Sequence, residues 1–154
     1  MMLDFQFLDS GDLLKSIHTI ISGTFLIIAV WLLARSIRGI TKNITYTQLD
    51  KLLSYAFIIT LYLQLIFGLI LFAYPGAEDA TNYSNVEGAL RMASKRFWPI
   101  EHIVLMLFAL FIANIGLIFS NQAHNSRDKY RKILIYYAIA IVMIAVSLTT
   151  VNLP

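Results

Sequence analysis

The sequence predicts an all-α integral membrane protein, an up-down-up-down four-helix bundle with both termini outside. Three observations predict it: four apolar runs of spanning length, two short connections rich in basic residues, and an apolar content too high for a soluble chain of this size. Of 154 residues, 58% are hydrophobic and 14% charged, and the mean hydropathy is +0.72. Such a chain belongs in a lipid bilayer. A helix rising about 1.5 Å per residue needs roughly 20 apolar residues to cross a hydrocarbon core about 30 Å thick.

Span one is expected over residues 13–34. It carries Lys15 and His18 near its start, so only the stretch after His18 is unbroken. The leading segment MMLDFQFLDSGD is acidic and no small-residue cleavage site follows the apolar part, so the span reads as retained rather than as a cleaved signal. The polar turn ITKNITYTQLD leads to span two, 52–74, which Pro75 and Gly76 stop. In the next connection, NVEGALRMASKRFW places Val86, Leu90, Ala93 and Phe97 at helical spacing. That spacing predicts a short amphipathic helix over 85–96 on the outer surface, a plain polar linker being the alternative. Pro99 suits the first turn of span three, 97–120, and Tyr74 and Trp98 fit an interfacial aromatic belt. A second polar turn, NQAHNSRDKYRK, precedes span four, 133–151. Turns this short force neighbouring spans to pack antiparallel in a single domain, which puts spans one and three parallel on a diagonal.

Charge placement sets the expected orientation. Arg35, Arg38, Lys42 and Lys51 flank the first turn and Arg127, Lys129, Arg131 and Lys132 the second, against Lys15, Arg91, Lys95 and Arg96 at the other end. By the positive-inside rule both turns are cytoplasmic. Seven of the nine acids (Asp4, Asp9, Asp12, Glu78, Asp79, Glu87, Glu101) then lie outside. The formal charge of +3 is accounted for by topology, and no nucleic-acid partner is called for. With no cysteine in the chain, disulfides, iron–sulfur ligation and thiolate sites are excluded, leaving histidine and carboxylate as strong metal ligands.

Ionisable groups inside a membrane are costly enough to be candidate functional residues. His18 lies about 17 residues from Arg35 and His102 about 19 from Asn121, which sets both roughly 26–28 Å from the cytoplasmic ends of their spans. The two share one depth near the outer leaflet. Neighbouring helices about 8–10 Å apart give a diagonal of roughly 11–14 Å, over which two inward imidazoles can hold one iron between them. A compact zinc site would need further ligands about 2 Å from the metal, and the nearest carboxylate, Glu101, points about 100° away from His102. A bis-histidine haem therefore fits better than a small metal. Ser22 lies one turn from His18 on the same face with Gly23 beside it, and Gly68 on span two reaches the same level with Gln64 one turn below it. These four would make room for a flat ring; equally, small residues mark close helix packing and Gln64 bonds across helices. Arg91, Lys95 and Arg96 could pair with haem propionates or form a solvated interfacial cluster. Glu101 is favoured in a first helical turn by the helix dipole, with a role in proton exchange or in holding a histidine ring as the alternative. His124 reads as a surface residue, and no nucleophile–base pair supports hydrolysis.

His18-Thr19, the run Gln64-Leu65-Ile66-Phe67-Gly68-Leu69, the entry Arg96-Phe97-Trp98-Pro99-Ile100-Glu101-His102 and a basic turn before span four follow one another along nearly the whole chain. In this order the chain resembles a family of small four-helix bacterial membrane proteins labelled cytochrome b. The resemblance implies a multi-pass protein of the bacterial inner (cytoplasmic) membrane, with haem b held by His18 and His102. It implies electron transfer near the outer face, between a quinol and an outer acceptor, alone or as a subunit of a larger respiratory complex. A cofactor-free structural or assembly subunit is the alternative, because lipid-facing and partner-facing Leu/Ile surfaces look alike in sequence.

Overall fold

The computed structural model describes residues 10–73 and 86–149, with side chains for 12–73 and 100–149. The described chain is all-helical: α1 (Ser10–Thr41), α2 (Gln48–Ala73), α3 (Val86–Gln122) and α4 (Ser126–Thr149). Each holds a segment long and apolar enough to cross a membrane.

Every helix carries one inward seam with alternating steps of three and four residues. In α1 it runs His18, Ser22, Phe25, Ala29, Leu32, Ser36, Gly39, and in α3 His102, Met106, Ala109, Ala113, Gly116, Ser120. In α2 it runs Asp50, Ser54, Phe57, Leu61, Gln64, Gly68, and in α4 Tyr130, Ile133, Tyr137, Ala140, Ile144, Ser147. All are buried or half-buried, which is the heptad spacing of helices packed at shallow angles. The main contacts join α1 to α2 and α4, and α3 to α2 and α4. Hence α1 and α3 stand at opposite corners.

The outer faces are apolar as well. Ile20, Ile27 and Val30 of α1 are 68%, 69% and 68% exposed, a surface suited to lipid rather than water. Since lipid tails are as apolar as leucine, close contact and hydrogen bonds hold such helices together. Phe57 stacks on Tyr137 with ring centroids 4.4 Å apart and meets Phe25 at 4.9 Å, joining three helices at mid-bundle. A Cβ on Gly116 would run into Tyr136, and one on Gly39 into the Tyr130 ring; α4 therefore sits tightly on both α3 and α1.

The end bearing the two short turns is closed by polar groups. Asp50, 1% exposed, accepts from Arg35 through both Nε and Nη2, the latter at 3.1 Å. It also accepts from the Thr47 amide at 2.9 Å, the Thr47 hydroxyl at 2.7 Å and the Tyr130 hydroxyl at 2.8 Å. Thr47 is the N-cap of α2 and Asp50 its third residue, whose carboxylate reaches back to the N-cap amide, one half of a capping box. Asn125 and Asp128 make the other half at α4, with the Asp128 amide donating to Asn125 Oδ1, and they add a side-chain bond from Asn125 Nδ2 to Asp128 Oδ2, each at 2.8 Å. At the end of α1, Asn43 has φ 48° and the Ile44 amide reaches back to the Gly39 carbonyl at 3.3 Å, a Schellman stop with Asn in the left-handed position. The Tyr46 amide donates to the Ser126 hydroxyl at 2.9 Å, tying one turn to the other.

These caps explain where the helices depart from the apolar runs. α1 continues past residue 34 to Thr41, and α4 begins at Ser126 rather than near 133, because the signals that stop a backbone ladder lie beyond the hydrophobic residues. The stretch 85–96 is helical from Val86 and runs into span three as one helix. Pro99, expected in a first turn, falls inside α3, where one backbone hydrogen bond is forgone. Tyr74, Pro75, Gly76 and the rest of 74–85 lie outside the described residues, as do the side chains of Arg91, Lys95, Arg96 and Trp98.

Candidate functional site

At the end opposite the Asp50 cluster, the seams of α1 and α3, as far as their side chains are described, end in histidines. His18 and His102 line one cavity of about 380 Å³ to which all four helices contribute. α1 supplies His18, Ser22, Phe25 and Leu26; α2 supplies Gln64, Gly68, Leu71 and Phe72; α3 supplies His102 and Ile103; α4 supplies Ile144 and Leu148. The volume lies in the range of small-ligand sites. Leu26, Phe72 and Leu148 remain partly exposed at its edge, so the cavity reaches the lipid-facing side of the bundle.

The His102 ring is oriented by α4. Its Nδ1 lies 3.0 Å from the Ser147 hydroxyl, and that hydroxyl donates its single proton to the Ile144 carbonyl at 2.6 Å. With the serine proton so directed, Nδ1 donates and the neutral ring carries its lone pair on Nε2. This arrangement, in which a second group fixes tautomer and ring angle, is the one found behind metal-bound histidines. His18 is held differently. Its Nδ1 is buried with no hydrogen-bond partner among the described residues, a condition costing about 1–3 kcal/mol. The ring lies beside Gly68, where an added Cβ would meet His18 Cε1 at 3.8 Å, ordinary contact distance. Ser22 directs its hydroxyl to the His18 carbonyl at 2.8 Å, so its proton is spent within α1.

The expected residues His18, His102, Ser22, Gly68 and Gln64 all line this one cavity. Gln64 is buried. Glu101 is exposed and does not line it, His124 is exposed, and Gly23 faces open space. The Arg96 side chain, with Arg91 and Lys95, lies outside the described residues. Sequence reading missed Ser147, because a serine in an apolar helix is common; its place in the α4 seam, three residues after Ile144, was the available signal.

Among the described residues no three His, Cys, Asp or Glu side chains converge to hold a metal ion. The donor set is two imidazoles in apolar walls. It suits an ion that brings its own equatorial ligands, as haem iron does, better than zinc, which takes four ligands from protein and water. No protein-family model, curated protein or solved structure matches the chain.

Proposed function

We propose that the chain is a b-type haem protein of the bacterial cytoplasmic membrane. Its helices run up-down-up-down with the basic turns inside and both termini outside, which places the histidine cavity near the outer face. The observation that carries the reading is the pair His18 and His102, each heading the seam of its helix at opposite corners and both lining one cavity. The His102 Nδ1 contact to Ser147 supports it by leaving the lone pair on Nε2.

Bound haem would supply a one-electron couple. The chain's part would be to offer the His18 and His102 imidazoles as iron ligands, to exclude water with the apolar walls of Phe25, Leu71, Ile103 and Ile144, and to hold the His102 ring through Ser147. Arg96 and its basic neighbours would meet the propionates. One haem near one face does not span the bilayer, so electrons would pass between a quinol and an outer acceptor, or through a larger complex.

A reduced-minus-oxidised visible spectrum of the protein purified from haem-replete cells tests this. Soret and alpha bands of a low-spin b haem are expected, and His18→Ala and His102→Ala should each abolish or convert them. A protein with no such bands would be the cofactor-free subunit instead; bands untouched by both variants would move the ligands elsewhere.

A further inference from the structure

A second cavity, of about 640 Å³, lies at the opposite end between the last turn of α3 and the first turns of α4. Its floor is apolar, from Phe119 and Ile135, and its rim is polar, from Gln122, Asp128, Arg131 and Lys132. We propose that this groove binds the headgroup of an anionic phospholipid, with an acyl chain running down the apolar floor. The assignment needs only a bilayer around the bundle and is independent of haem.

Three observations carry it. The layers match a membrane interface: Ile135 lies one turn, about 5–6 Å, from Arg131 toward mid-bundle, and Ile139, a turn further, is also exposed. Chain carbon and phosphate would therefore meet apolar and cationic groups at their own depths. The floor is also held in place. The Phe119 ring packs edge-on to Tyr136 with centroids 5.6 Å apart, and Lys132 Nζ lies 5.8 Å over the same ring, so the cation stays at the groove. Finally, the bases of this turn are not equivalent. Lys129 Nζ is directed to the Tyr46 ring at 5.6 Å and Arg127 does not line the groove, whereas Arg131 and Lys132 both do. Arg131 is exposed and makes no ion pair among the described residues, and its guanidinium can grip a phosphate through two N–H groups. The one opposing charge, Asp128, accepts from the Asn125 amide at 2.8 Å.

Native mass spectrometry of the detergent-solubilised full chain, with phosphatidylglycerol or phosphatidylcholine added, tests the proposal. Retention should favour phosphatidylglycerol, and the double variant Arg131→Ala/Lys132→Ala should lower it on the order of tenfold, two interfacial cations being removed. Arg131→Gln alone should give an intermediate fall, and Arg127→Ala/Lys129→Ala, with equal charge loss outside the groove, should bind as wild type. Inorganic phosphate at equal concentration should leave the lipid bound. Equal loss in both double variants would reduce the effect to bulk charge and overturn the site. So would equal retention of the two lipids, or displacement by phosphate, which would make it a free-anion site. Unchanged helix content and monodispersity identify variants that have folded.

Discussion

Ser147 of α4 and His102 of α3 are joined by a 3.0 Å contact between the serine hydroxyl and Nδ1, and the same hydroxyl lies 2.6 Å from the Ile144 carbonyl. The imidazole is thereby held by a helix other than its own. Ser147→Ala removes the acceptor and leaves the ring free to turn. Haem titration of the variant is expected to show affinity roughly 10–100-fold weaker, the usual consequence of losing a group that orients a ligand. Unchanged affinity together with an unchanged spectrum would separate Ser147 from any role at the cavity.

Gly39 and Gly68 occupy seams of adjacent helices but face different surroundings. A Cβ at Gly39 collides with the Tyr130 ring, whereas one at Gly68 meets His18 at 3.8 Å. Gly39→Ala should therefore lower stability by about 1–3 kcal/mol, the cost of overpacking, and Gly68→Ala should leave it close to wild type. Gly68→Leu should fold and lose haem. Unfolding in a detergent series measures the first two, and the visible spectrum the third. A Gly68→Leu protein with an intact spectrum would place the ring outside this cavity.

Asp50 is the common acceptor of α1, α2 and α4. Removing it strands Arg35, leaves the Thr47 hydroxyl without its acceptor and leaves the Tyr130 hydroxyl only its longer contact to the Thr45 carbonyl at 3.3 Å. Asp50→Ala is expected to destabilise the bundle by about 3–5 kcal/mol, as when one partner of a buried ion pair is deleted. Thermal unfolding should show the loss, with the double variant Arg35→Met/Asp50→Leu recovering part of it. A loss within ~1 kcal/mol, the level of an exposed ion pair, would show the cluster to be solvated.

The absence of cysteine makes the chain its own background for topology mapping. His124→Cys, in the α3–α4 turn, should react with a membrane-permeant maleimide and not with an impermeant one in intact cells. Asp79→Cys, in the 74–85 connection, should react with both. The reverse pattern would place the histidines near the cytoplasmic face and remove the outer acceptor from the reading.

Much of the helical frame was legible because a bilayer demands it: a run such as Leu52–Tyr74 has few other uses. The histidine pair was legible because depth along a span can be counted from its ends. Arg35 and Asp50 were counted only as charges on a turn, yet they form the most buried ion pair among the described residues. Their pairing crosses from one helix to the next at no helical spacing, so no periodicity announces it. The seam from His18 to Gly39 was present as alternating steps of four and three. It is hard to see because hydroxyl residues and glycine, the close-packing residues of membrane helices, take places that leucine would fill in a soluble bundle.

The Asp50 cluster and the histidine cavity sit at opposite ends of the same four helices. The hydrogen bonds that fasten α1, α2 and α4 to one another at Asp50 thus lie far along the helices from the residues that line the cavity. Side chains can be exchanged at one end without touching the fastening at the other.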